Sequence, residues 1–192
     1  MNAILVPGRP DKDEHYDKNR PSNSEDHWFS WLKRQLILRD IHAVAIEPPF
    51  PYRPRYLEWK REFERFDLQN DTVLVGHSCG GGFLVRYLSE NKNVKVGAVF
   101  LVAPWINPDN NPLSDTADFF TFDIDPNIVN RTKSLTVFVS KNDDASVLKT
   151  VEILQKHIVD LRVVWFESKA HFTANDLGSR EFPELLQAIL SA

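Results

Sequence analysis

The sequence predicts an α/β protein: a three-layer αβα sandwich on about six mainly parallel strands, folded as one domain over residues 1–192. Two observations predict it. Short apolar runs alternate along the chain with stretches of helical periodicity, a pattern that packs as a parallel sheet covered by helices on both faces. The residues best suited to chemistry also follow the ends of such runs, where functional loops gather in open α/β sheets.

Taken in order, Asn2–Val6 is the first strand, ended by Pro7-Gly8. Residues 9–26 are charged, carry Pro10 and Pro21, and show no periodicity, so they read as a long loop of the kind that is functional or disordered. The next helix places Trp28, Phe29, Leu32 and Leu36 on one face, where the spacing marks them as core anchors. A strand follows over Ala43–Ile46, and Pro48, Pro49, Pro51 and Pro54 then forbid regular structure. The helix from about Arg55 to Phe66 carries Trp59, Phe63 and Phe66 as its stripe; its mixed charges three and four apart form a solvated face.

Thr72–Phe83, TVLVGHSCGGGF, is the most informative stretch. Val73-Leu74-Val75 is a continuous apolar run, as in a strand buried on both faces, and Phe83, Leu84, Tyr87 and Leu88 recur at helical spacing beyond it. Between them Gly76-His77-Ser78-Cys79-Gly80 satisfies G-x-S-x-G, which holds a serine on a strained strand-to-helix turn with its hydroxyl exposed. Side chains two before and two after that serine would crowd the neighbouring backbone, so glycine is needed at both places. Four of the seven glycines fall in this window, so the clustering does not follow from composition. A phosphate-binding glycine loop is the competing reading, but G-x-G-x-x-G spacing and a following Gly-Lys-Ser/Thr are both missing.

Val94–Ala103 is the fourth strand, ended by Pro104. Residues 105–133, with Phe119, Phe120 and Phe122, fit a small lid, a pocket wall or core packing. The fifth strand, Leu135–Val139, leads into the polar run Ser140–Asp144 and a helix bearing Val147, Val151, Leu154 and Ile158. The sixth, Arg162–Phe166, leads to His171, and a last helix carries Phe182, Leu185, Leu186, Ile189 and Leu190.

Composition narrows the classes. A hydrophobic fraction of 42% and a charged fraction of 26% are ordinary for a globular domain. The formal charge of −4 gives no electrostatic reason to expect nucleic acid or an anionic membrane as partner. The single cysteine, Cys79, allows no intrachain disulfide; with no signal-peptide pattern at the start, the expectation is a cytoplasmic protein. Scattered histidines and the lack of Cys-x-x-Cys or His-Glu-x-x-His spacing point to no metal and no cofactor.

A serine hydroxyl is a weak nucleophile until a base takes its proton, and the base needs an acid to fix its tautomer. Ser78, then Asp143 or Asp144, then His171, each past a successive strand, is the order that α/β-hydrolases use. His171 is the candidate base because it alone of six histidines lies in the last strand-to-helix loop. Only one of the two aspartates can face it while the other caps the following helix. Cys79 starts the helix after the turn with its side chain turned away; its backbone N–H is one candidate oxyanion donor and that of Arg9, after the first strand, the other.

These residues resemble a known group, the small, nearly lidless α/β-hydrolases of the retinoblastoma-binding-protein-9 and YdeN-like serine hydrolase family. The resemblance rests on Val6-Pro7-Gly8, Trp28-Phe29-x-Trp31-Leu32, Gly76-His77-Ser78-x-Gly80, Ser140-x-x-Asp143-Asp144 and His171-Phe172, and spans nearly the whole chain. It implies a minimal α/β-hydrolase fold with strand order 2-1-3-4-5-6 and serine-dependent hydrolysis of esters or related thioesters or amides of a small acyl substrate. It also implies that the acid is the second aspartate, Asp144. Departures are the charged loop after Gly8, Ala170 before the histidine and Ala145 after the acid. A hydrolase-fold module that binds a partner protein with little or no turnover is the alternative, since fold does not fix function.

Overall fold

A computed structural model describes residues 1–109 and 118–192. Its centre is a six-stranded sheet of order β2-β1-β3-β4-β5-β6, built from β1 (Asn2–Val6), β2 (His42–Ala45), β3 (Val73–His77), β4 (Val96–Val102), β5 (Thr132–Ser140) and β6 (Arg162–Phe166). Every neighbouring pair is parallel. The expected strand order is met in full.

The central strands are apolar throughout because both of their faces are covered. Every residue of β3 and β4 is buried, whereas the edge strands β2 and β6 consist mostly of partly or fully exposed residues. Helices α2 (Phe29–Ile37) and α7 (Pro183–Leu190) pack together over one face. Trp28 at the start of α2 meets Phe182, which precedes α7, and Phe182 in turn meets Phe138 and Phe166 of the sheet. Right-handed crossovers put α3 (Tyr56–Phe63), α4 (Cys79–Glu90) and α5 (Ala145–His157) on the other face, with Trp59 and Phe63 of α3 set against Phe83 of α4.

Two segments differ from the sequence reading. The stretch 9–26 is not loop throughout: it holds a short helix, α1 (Lys12–Tyr16), and a 3-10 turn at Asn23–Glu25. A capping-box pairing of Asp11 with Glu14 explains α1, the Asp11 amide donating to the Glu14 carboxylate (3.0 Å). The suggested lid or pocket wall at 105–133 falls partly on residues 110–117, outside the described residues. Beyond them, Phe119 and Phe120 are buried, and the Phe119 ring sits edge-on to Tyr56 and Trp59. Those aromatics belong to the core.

Candidate active site

The β3–α4 connection is a turn with no spare room. Ser78 takes φ 53°, ψ −123°, a left-handed conformation that a side chain adopts only when the surroundings hold it. Its amide extends the ladder by donating to the Val102 carbonyl (2.9 Å), while its own carbonyl accepts from Gly82 (3.1 Å) and Trp105 (3.1 Å). The flanking glycines are steric requirements. A Cβ on Gly76 would lie 2.7 Å from the Gly81 backbone, and one on Gly80 would lie 2.2 Å from the Val6 carbonyl oxygen. Either contact would push α4 off the sheet. The β1 loop then passes over the turn, close enough that a Cβ on Gly8 would sit 3.0 Å from the Ser78 Cβ.

His171 follows β6 and faces the loop after β5. Its Nδ1 lies 3.0 Å from Asp143 Oδ1; the aspartate side chain is 1% exposed and the histidine's 32%. Asp144 was expected in this place, and the structure corrects that expectation. Asp144 is the N-cap of α5, and its Oδ1 accepts from the Ser146 amide (2.8 Å) and the Ser146 hydroxyl (2.6 Å). Those bonds, the hydroxyl first, hold its carboxyl below the usual aspartate range. The helix start thus claims the second aspartate and leaves the first to face His171. The Asp144 amide also donates to Asp143 Oδ1 (2.7 Å), fixing the carboxylate that His171 meets.

Two cavities meet at Ser78 and His171, which line both. One, about 420 Å³, runs under the 9–26 segment past Arg9, Arg20, Asp26 and His27. The other, about 370 Å³, opens past Trp105, Asp143 and Ser146. Arg9 borders both, and its Nε donates to the Tyr52 carbonyl (3.0 Å). In the first cavity Asp26 bonds Arg20 (2.7 Å) and accepts from the His27 amide (2.7 Å). Burial opposes its ionisation, yet Arg20 and that amide hold its carboxyl below the ordinary range. Phe119 and Phe120 line neither of these two cavities.

Cys79 is buried, and burial pushes its thiol up to about 12. It stays a thiol at neutral pH and has no nucleophile to offer. Its backbone N–H, at the first turn of α4, is one of the helix-start donors that intrahelical bonding leaves open. Among the described residues no three His, Cys, Asp or Glu side chains are grouped to hold a metal ion, and no helix is long and apolar enough to cross a membrane.

Comparison with known proteins identifies the family. The family model described as serine hydrolase matches residues 20–190. The chain belongs to the serine hydrolase family. Within it, this hydrolase is similar to YdeN of Bacillus subtilis (strain 168), with 30% identity over 176 residues that cover 88% of this chain and 90% of YdeN. The crystal structure of the B. subtilis ydeN gene product superposes with a TM-score of 0.80 at 23% identity, with complete coverage of both chains. The α/β-hydrolase fold is shared more widely. Alpha/beta hydrolase domain-containing protein 10 from mouse matches with a TM-score of 0.65 at 12% identity, covering 99% of this hydrolase and 88% of that chain. Est1E from Butyrivibrio proteoclasticus, in a structure with ferulic acid bound, matches with a TM-score of 0.65 at 12% identity, over 98% and 86%.

Sequence reasoning named Ser78, His171 and Arg9 at this site but missed the residues that hold the base loop. His77 Nε2 lies 2.8 Å from the His171 carbonyl oxygen, and Trp28 Nε1–H donates to the Phe172 carbonyl (3.0 Å). Ser140 Oγ accepts from the Lys169 amide (2.7 Å) and Asn142 Oδ1 from the Ala170 amide (2.9 Å). Each of these partners is distant in sequence, so no local pattern could have found it.

Proposed function

We propose that this serine hydrolase cleaves carboxylic esters of small acyl substrates through a Ser78-His171-Asp143 triad and an acyl-enzyme intermediate. The observation that carries the reading is the 3.0 Å contact between His171 Nδ1 and the buried Asp143 carboxylate, on a histidine that shares both cavities with the strained Ser78. Asp143 accepts a hydrogen bond from His171 Nδ1–H, which keeps the proton on Nδ1 and leaves Nε2 as the base. Ser78 Oγ attacks the acyl carbon as His171 takes its proton, and His171 then protonates the departing alcohol. Water attacks the acyl-serine by the same route in reverse. The Cys79 and Arg9 amides hold the oxyanion, the backbone donors that a helix start and a neighbouring loop supply in such a site. One cavity takes the acyl group and the other the leaving group. Thioesters and amides are the neighbouring substrate classes.

The test is labelling with a fluorophosphonate probe read by intact mass, beside hydrolysis of p-nitrophenyl esters of increasing chain length. Wild type is expected to take up one probe per chain and to turn over the esters, and Ser78→Ala to do neither while keeping its fold. Equal labelling or turnover in Ser78→Ala would refute the reading. A folded wild type that neither labels nor turns over would favour a module that binds without catalysis.

A further inference from the structure

Four side chains from distant elements grip the short segment that carries His171, and one of them is the immediate neighbour of the nucleophile. His77 ends β3, is 2% exposed, and lies among the rings of His27, Trp28, Phe29 and His171. Packing alone there would be served by an apolar side chain. An imidazole is an expensive choice: its Nδ1 is buried and finds no partner among the described residues, and buried polar atoms without partners are destabilising. Its single described hydrogen bond is the one to the His171 carbonyl (2.8 Å). A carbonyl only accepts, so His77 carries its proton on Nε2 and leaves Nδ1 bare. Burial, followed by the nearness of His171 and His27, keeps the ring neutral by driving its pKa well below the usual histidine value.

The segment it holds needs holding. Ala170 and Phe172, on either side of His171, take φ of 39° and 57°, left-handed conformations that residues with a Cβ adopt at a cost. Sequence chemistry does not favour that shape; external bonds impose it. The Asn142 and Trp28 bonds secure residues 170 and 172, and the His77 bond secures residue 171 itself. Because His77 is covalently joined to Ser78, that last hydrogen bond refers the base directly to the nucleophile, across the gap between β3 and the β6 loop.

We infer that His77 is a positioning residue: through its Nε2–H bond to the His171 carbonyl it sets the placement of the base relative to Ser78. This rests on the triad reading for its kinetic consequence, although not for its structural one. The position of a proton-transferring group controls the chemical step more than ground-state binding, and a misplacement of about 1 Å can cost on the order of 10²-fold.

The experiment compares wild type, His77→Leu, which removes the donor at similar bulk, and His77→Gln, whose amide N–H can replace it. Steady-state kinetics with p-nitrophenyl acetate and NMR of 15N-histidine-labelled protein are read on all three. In wild type the His77 nitrogen shifts are expected to report the Nε2–H tautomer, and His171 a slowly exchanging Nδ1–H. His77→Leu is expected to lose about 10- to 100-fold in kcat with KM within about twofold, and to broaden the His171 Nδ1–H signal. His77→Gln is expected to restore both. An unchanged kcat and Nδ1–H signal in His77→Leu would overturn the inference, and so would a Gln variant no better than Leu, because packing would then be the only role. If His77→Leu does not fold, the wild-type tautomer still decides: an Nδ1–H form of His77 cannot donate to the carbonyl and rules the bond out. Absence of serine-dependent turnover in wild type would sink the esterase reading alone, leaving the NMR signals to judge the positioning of His171.

Discussion

His171 Nδ1 meets Asp143 Oδ1 at 3.0 Å, and the neighbouring Asp144 turns the other way to cap α5. Adjacent aspartates therefore do different jobs, separated by which one the helix start requires.

Exchanging each aspartate separates the jobs. Asp143→Asn is expected to lower kcat by on the order of 10⁴, as loss of the orienting carboxylate does in a serine triad, with little change in melting temperature. Asp144→Ala is expected to lower stability by about 1 kcal/mol through loss of the N-cap while kcat stays within a few-fold. Steady-state kinetics and thermal unfolding of the two variants check this, and the reverse pattern would return the acid's role to Asp144.

Ser78 stores strain at φ 53°, ψ −123°. Relief of such a conformation is worth about 1–3 kcal/mol, against about 0.5–1 kcal/mol of added chain entropy for glycine in the unfolded state. Ser78→Gly is therefore expected to be more stable than Ser78→Ala, which keeps a Cβ and its strain. For a chain of this size the gain corresponds to about 2–4 °C per kcal/mol. Differential scanning calorimetry of the two variants measures it; equal melting temperatures would mean that the elbow is unstrained.

Protonation of buried histidines should make stability fall in mild acid. His77 and His27 both have pKa values lowered in the folded protein, chiefly by burial. Above the ordinary histidine value of about 6.5 both states are neutral and the stability is fully present. As pH falls below it the unfolded chain takes up protons that the folded chain refuses, so stability drops by up to about 1.4 kcal/mol per pH unit for each such residue, until the folded pKa is reached. Urea unfolding between about pH 7.5 and 5 is expected to show this slope, and His77→Gln a shallower one. A slope unchanged in that variant would mean that His77 is protonated in the folded protein.

Gly80 and Gly178 offer a matched pair for steric and conformational cost. A Cβ at Gly80 would press on the Val6 carbonyl oxygen at 2.2 Å, whereas one at Gly178 meets nothing within 4 Å but stands at φ 64°. Gly178→Ala is expected to cost about 1–2 kcal/mol, from the left-handed backbone alone. Gly80→Ala forces backbone apart at the centre of the fold and is expected to cost more, beyond the roughly 1–3 kcal/mol of ordinary overpacking, and to abolish probe labelling with it. Chemical denaturation of both variants tests the order.

The strand order followed only from the family resemblance, whereas the sequence by itself determined the fold class and the placing of Ser78 and His171 just past strand ends. Those features depend on patterns local to the chain: apolar runs such as Val73-Leu74-Val75, glycines at fixed offsets from a serine, and a histidine after the last strand. Tertiary structure alone decided which aspartate faces His171, because Asp143 and Asp144 are chemically identical and differ only in what the start of α5 demands of each. It also decided that Phe119 and Phe120 belong to the core. The 9–26 segment became a cavity wall, and His77, Trp28, Ser140 and Asn142 a grip on the base loop, for the same reason. Each of these contacts joins residues far apart in the chain, and hydrogen bonds of that kind leave no periodicity for a sequence to display.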